Sequence, residues 1–422
     1  MSMNNGSEVA RSGAWNGARQ EALNRLRDFI PNLTQYPSRR NYAVPGNDGV
    51  SRLSPYLRYR LISEEEVITQ VTASMDFPVA EKFIQEVVWR TYWKGALHLN
   101  PGIWHSYVER ASELASMAPG ASWGPLYEAA FQGKTHLSYF NEWIQELTST
   151  GYLHNHVRMW FASIWIFTFK IPWQLGAAFM YRYLLDGDPA SNTLSWRWVA
   201  GLHTKGKTYL ARADNISKYS EGRWNPRDGE LAAEPFPVED SVRCMPRPMV
   251  TEGAFRNTPH TGLVVSTDDL SIENALDTRG YSSVCLYDSS PGEFSGGKRA
   301  FVHQAREDLR ARLAAQRGES TVPIVFDHSA LSTWRESNSL DRVMFVLPHV
   351  GPLRDPLEEW AGALLAMGTA VGVLSRTWDS ELFPLCDKGF FTMWERFKRR
   401  WARGSPLSGC SDASGIHGDK SF

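Results

Sequence analysis

From residue 17 to about residue 200, apolar positions recur at spacings of three and four, the period of packed helices. GARQEALNRLRDFI (17–30) carries that pattern. SEEEVITQVTASM (63–75) opens with Ser63 and three glutamates. A hydroxyl there accepts from an orphan backbone N–H, and acids in the first turn suit the helix dipole, so Ser63 is predicted as an N-cap. VAEKFIQEVVWRTYWKGALHL (79–99) predicts a long helix ending near Asn100-Pro101, because a residue before proline is pushed out of the α region. YFNEWIQELTSTG (139–151) predicts a helix stopped at Gly151. HNHVRMWFASIWIFTFK (154–170) is apolar almost all round and predicts a buried central helix. No clear strand pattern occurs in this half.

The rhythm then breaks. GRWNPRDGELAAEPFPVEDSVRCMPRPMV (222–250) is rich in proline and charge, and so long a connection marks a domain boundary. Beyond residue 259, short apolar runs (TGLVVS, SSVCLYD, VPIVFD, RVMFVLP, AVGVLS) alternate with helical stretches such as KRAFVHQAREDLRARLAAQRG and DPLEEWAGALLAMG. That alternation predicts βαβ units, with a parallel sheet covered on both faces. The predicted architecture is an all-α domain (17–235), a linker (236–258) and a smaller, Rossmann-like α/β domain (259–402). Disordered ends are predicted at 1–16 and 403–422.

Composition narrows the chemistry. The chain has 422 residues, 45 basic against 46 acidic, and a net charge of −1. A polyanion site must therefore be a local patch. Cys244, Cys285, Cys386 and Cys410 show neither metal-ligand spacing nor a disulfide framework, so a reducing, cytoplasmic setting is expected. No membrane span is expected, because the most apolar stretch, Trp160–Trp173, is too short and contains Lys170 and Pro172. The 17 tryptophans fall mostly before residue 200, which sets the first half apart.

Candidate chemistry lies in that half. GVSRLSPYLRYRLIS (49–63) puts Ser51 and Ser54 on a glycine-led turn before a helix, which suits either a phosphate or ordinary capping. In FIQEVVWRTYW (83–93), Glu86, Trp89 and Arg90 share a helix face, which suits a planar ligand or a surface ion pair. Arg158, entering an apolar helix, needs a carboxylate partner. Asp186 and Asp188 of LLDGDPASNTLSWRWVAG (184–201) are the candidates. Trp196 and Trp198 stand two apart, so they should point different ways, either into the core or toward a ligand. No metal site is expected, and no P-loop, GxSxG or GxGxxG occurs.

Taken together, SRLSPYL, FIQEVVWRTYW, GYLHNHVRM, Trp173 and DGDPASNTLSWRW resemble the flavin domain of the photolyase/cryptochrome family over about residues 17–201. The resemblance implies FAD. Tyr36 and the segment Val50, Ser51, Arg52, Leu53 and Ser54 match positions holding the FAD phosphates. Arg158 and Asp186 match a buried ion pair beside the isoalloxazine. Asp188 matches a position near the ring and adenine, and Asn192 the residue facing flavin N5. Phe83, Arg90 and Gly187 complete the implied cofactor-binding set. Trp196, Trp173 and Trp123 match an electron-carrying chain. Glu86, Trp89, Asn155, Met159 and Trp198 match the pocket for a flipped-out pyrimidine dimer.

This sequence also departs from the family. His156 stands where many members have an arginine. After Trp198 the usual segment is replaced by LHTKGKTYLARADNISKYSEGRW, in which Lys205, Lys207, Arg212 and Lys218 form a candidate basic patch. The α/β domain follows the flavin domain rather than preceding it. VVSTDDLSIENAL and WDSELFPLCDKGFFTMWERFKRRW still resemble the family's antenna domain, which implies a circular permutation; an unrelated α/β domain is the alternative. The resemblance implies a lyase that transfers an electron from reduced flavin to pyrimidine dimers in single-stranded or duplex DNA. A blue-light photoreceptor and a light-independent flavin redox enzyme are the alternatives. A second antenna chromophore is implied without its identity.

Overall fold

The structure is a computed structural model that describes residues 15–46, 49–204, 206–242, 258–288, 292–404 and 407–412. Cys244, Lys205 and most of the expected linker lie outside the described residues.

The first part is helical. It comprises α1 (Arg19–Phe29), α2 (Tyr36–Arg39), α3 (Ser54–Arg58), α4 (Glu64–Ser74), α5 (Phe77–Leu99) and α6 (Gly102–Met117). It continues with α7 (Gly124–Phe131), α8 (Ser138–Thr150), α9 (Asn155–Ser163), α10 (Trp173–Tyr183), α11 (Pro189–Val199) and α12 (Ala213–Tyr219). Ser63 caps α4 by accepting from Glu66 N, and Gly151 ends α8 in the left-handed conformation at φ 68°. The single central helix expected over 154–170 is α9 followed by a π turn, Ile164–Thr168. Hydrophobicity alone does not register such a bulge, because residues on every side of this segment are buried.

The second part contains β1 (Thr261–Ser266), β2 (Ser283–Tyr287), α13 (Gly296–Arg317), β3 (Ile324–Val325), α14 (His328–Ser337) and β4 (Arg342–Val346). It ends with α15 (Arg354–Ala366), β5 (Ala370–Arg376), α16 (Thr377–Leu382), α17 (Phe390–Ala402) and β6 (Cys410–Asp412). Strand order is β3-β2-β1-β4-β5-β6, parallel through β5. Along β1, Leu263 and Val265 join the large core shared with the helices, whereas Val264 joins a second core under α14 and α15. This is the period-2 alternation of a doubly covered strand.

The tail expected to be disordered from residue 403 contributes β6, antiparallel to Leu374–Arg376. A three-residue edge strand is too short to leave a readable pattern.

The two parts share one continuous apolar core. The segment Phe383–Lys388 crosses α5 at Gly95, where a Cβ would collide with Sγ of Cys386. Nearby, Trp378 Nε1 donates to Thr91 Oγ1 at 2.9 Å.

Candidate cofactor site

The segment between α2 and α4 carries two arginines with left-handed backbones, Arg52 (φ 51°) and Arg60 (φ 49°). Residues other than glycine hold that conformation only where their surroundings fix it. Each marks one of two buried charged clusters.

The Arg52 cluster gathers side chains from four directions. Arg52 and Arg158 stand over the ring of Tyr152, 5.4 and 5.7 Å from its centroid. Arg158 Nη1 meets Asp186 Oδ2 at 3.0 Å, and its Nε donates to Leu153 O at 2.9 Å. Burial pushes the Asp186 carboxyl up, but Arg158 and then Arg90 outweigh it, so it stays below its ordinary range. His154 caps α9 through Nδ1, which accepts from His156 N at 3.2 Å. Burial above all, then His156 and Arg158, pushes His154 down to about 3, so its ring is neutral. Arg52 Nε and Arg90 Nη1 are buried without a hydrogen-bond partner in the chain, and His154 Nε2 and Asp186 Oδ1 make no well-formed bond, with the Arg40 backbone and the Ser54 hydroxyl beside them. Buried polar atoms are normally satisfied, so an assembly of unpaired ones points to a polar ligand. Arg52, Arg90 and Arg158 converge here, with Asp186 beside Arg158 and Arg90, Glu146 toward Arg52 and Asp188 toward Arg90, an arrangement that suits a polar ligand.

The Arg60 cluster is closed. Arg60 makes a bidentate pair with Asp379 at 2.7 and 2.6 Å and bonds Glu64 at 3.3 Å. Lys94 meets Glu64 at 3.4 Å, and Arg376 grips Asp269 at 2.6 and 2.7 Å. Arg58 meets Asp268 at 2.8 Å and Asp188 at 3.4 Å. None of these side chains holds an unpaired buried atom. At their edge the two His349 ring nitrogens have no hydrogen-bond partner, and Nε2 stands 3.5 Å from Asp379. Asp268, Asp269 and His349 follow β1 and β4, the point where strand order reverses and open α/β sheets usually bind ligands. In this chain the helical part's own arginines enter that crevice.

The sequence-derived residues divide between these surroundings. Tyr36 and Phe83 are buried edge to face at 5.3 Å. A small cleft is lined by Asn32, Gln35, Tyr36, Arg39 and Gly49. Val50, Ser51 and Ser54 are half-buried beside buried Leu53, and Ser51 Oγ accepts from Leu53 N at 3.4 Å. Gly187 and Asp188 belong to the scaffold: Gly187 O accepts from Arg58 and Lys298, and Asp188 caps α11 through Ala190 N and Ser191 N. Asn192 Nδ2 donates to Ala177 O at 2.9 Å.

Glu86 pairs with Arg40 at 2.9 Å and Lys82 at 3.0 Å. Asn155 is exposed and Met159 half-buried on α9. Trp196 and Trp198 do point apart: Trp196 lies buried against Phe161 and Trp165, while Trp198 stacks on Tyr209 at 5.8 Å. Trp173 packs on Tyr107 at 5.6 Å, and Trp123 touches Tyr127 at 6.0 Å. Trp89 lies face to face with Phe390 at 3.5 Å and tilted against Trp93 at 5.1 Å. Phe390 arrives from the far end of the chain, and no local pattern in the sequence announces its approach to Trp89. Tyr152 and Arg40 were also missed, because neither falls in a recognisable spacing.

Comparison with known proteins gives one family. Residues 83–227 match the FAD binding domain of DNA photolyase. The deoxyribodipyrimidine photo-lyase of Agrobacterium fabrum is 30% identical over 197 residues, covering 45% of this chain and 40% of that protein. That of Streptomyces griseus is 29% identical over 221 residues, covering 47% and 44%. The chain thus spans less than half the length of these curated relatives. A bacterial class III photolyase from Agrobacterium tumefaciens matches at 26% identity with a TM-score of 0.41, over 48% of this chain and 43% of that one. The parallel sheet lies C-terminal to the matched domain, consistent with permutation. Among the described residues no helix is long and apolar enough to cross a membrane.

Proposed function

We propose that this chain, whose residues 83–227 form a FAD-binding domain of the photolyase/cryptochrome family, holds FAD against Arg52, Arg90, His154, Arg158 and Asp186 for photolyase-type, blue-light-driven electron transfer. The assembly of buried, unpaired polar atoms on Arg52, Arg90, His154 and Asp186 carries this reading. FAD supplies the light absorption and one-electron chemistry. The chain supplies a largely buried polar surround. Asp186 stays ionised beside Arg158, and neutral His154 offers Nε2 without adding charge. Tyr36 and Val50–Ser54 would hold the phosphates, and Asn192 would face the ring. Glu86, Asn155, Met159 and Trp198 would receive a damaged pyrimidine pair.

A second reading, a photoreceptor, is favoured by one contact. Phe390 covers a face of Trp89 that would otherwise stack on a flipped-out base. Light-driven repair of single- or double-stranded oligonucleotides carrying a cyclobutane dimer separates the two. Loss of the dimer under blue light supports repair. Flavin photoreduction with the dimer intact supports the receptor. Bound flavin that does not respond to light supports a light-independent redox enzyme.

A further inference from the structure

The ring contacts set a second aromatic line beside Trp173. Trp165 sits in the π turn Ile164–Thr168, a bulge type frequent at functional sites. Its centroid lies 6.4 Å from that of Trp196, at 85°. Tyr127 follows at 6.0 Å and 84°, and Trp123 at a further 6.0 Å and 80°. Trp196 and Trp165 are buried, whereas Tyr127 and Trp123 are half-buried. The line therefore runs from the interior to the surface. Gly176 opens its first contact, since a Cβ there would overlap Cη2 of Trp196 and crowd Cε2 of Trp165.

Electrostatics favours this line. An indole that gives up an electron becomes a cation, so neighbouring charges and dipoles set the cost. Trp165 Nε1 donates to Pro172 O at 3.0 Å, and that carbonyl stabilises positive charge on the indole. Trp173 Nε1 is buried without an acceptor, and the Arg197 guanidinium stands 6.0 Å from its ring centroid. Asp240 pairs with Arg197 and offsets part of that charge. The ring neighbour of Trp173 is Tyr107, which is itself buried.

We propose that Trp165 relays the electron from Trp123 to Trp196, in place of Trp173, with the Tyr127 ring as the bridge between Trp123 and Trp165. The oxidant is photoexcited oxidised flavin, so the route rests on the flavin reading above. One electron leaves Trp196 for the oxidant, and Trp165 refills Trp196. Trp123 refills Trp165 across the Tyr127 ring, which keeps its phenol proton. Half-buried Trp123 releases its indole proton to water, and a solution thiol returns one electron and one proton.

The test uses the purified, flavin-loaded protein with W165F, Y127F, W173F and G176A. Far-UV circular dichroism reads the Trp165–Trp196 exciton couplet, carried by the strong short-wavelength indole band, without any photochemistry. Transient absorption and electron paramagnetic resonance read the Trp123 radical. W165F should slow formation of that radical by about tenfold, and W173F by less than about twofold. Y127F keeps a ring in place and should resemble the parent, and G176A should weaken the couplet and slow the radical. Parental radical formation in folded, flavin-loaded W165F, together with its loss in W173F, would overturn the route alone. Absence of flavin from the folded parent overturns the flavin reading and the route with it.

Discussion

Arg52 and Arg60 share a segment and a left-handed backbone, yet end in opposite surroundings: Arg60 is buried and Arg52 half-buried. Arg60 is saturated: Asp379, Glu64 and Asp269 surround it and join the helical part to the α/β part. Arg52 keeps an unpaired Nε and lies among other unpaired polar atoms. A buried charge whose partners all come from the chain is scaffold. One whose remaining valence faces nothing in the chain awaits a ligand. Partner counting thus separates two clusters that residue type cannot.

The largest effect should come from breaking the closed cluster. Asp379→Ala strands a buried guanidinium and should cost about 3–5 kcal/mol in urea unfolding, with or without FAD. Pairing it with Arg60→Met should restore much of that loss, because no buried charge is then left over. A smaller folding effect is expected for Asp186→Asn, since Arg158 is partly exposed. Its signature should instead be weaker FAD retention, by about 1–3 kcal/mol, read by equilibrium dialysis.

Next comes pH. His154 is held neutral down to about pH 3, whereas in the unfolded chain it binds a proton below about 6.5. Between those values the unfolded state binds more protons, so stability falls as pH falls, by at most about 1.4 kcal/mol per unit for this group. His156 and His349 are shifted in the same direction, so the measured slope is collective. His154→Gln should flatten it by one proton's share in urea midpoints taken from pH 7.5 to 5. Asp379 lies below its ordinary value, so its contribution is lost only as pH drops below about 4. The smallest effect should be Lys82→Gln, which removes a half-exposed ion pair with Glu86 and should change stability by under about 0.5 kcal/mol.

Much of the fold was legible because each element carries its own period: the helices to residue 200, the five parallel strands and the Ser63 cap. The Arg158 partner was legible because a cation entering an apolar helix needs a carboxylate, and two stood within reach. The Arg60 cluster was not, because Asp269 and Asp379 lie hundreds of residues away and no local pattern announces their approach. Phe390 on Trp89 was hidden for the same reason. The roles of Gly187 and Asp188 as scaffold depend on Lys298 and Arg58, which only the folded chain brings to them.

The most direct measurement is the FAD content of the purified, reconstituted chain beside Arg90→Met and Asp379→Leu/Arg60→Met, with folding checked by circular dichroism. The parent and the double variant should release equimolar FAD on denaturation, while folded Arg90→Met should release little. Parental FAD content in Arg90→Met, or none in a folded parent, would contradict the assignment of the unpaired cluster to the cofactor.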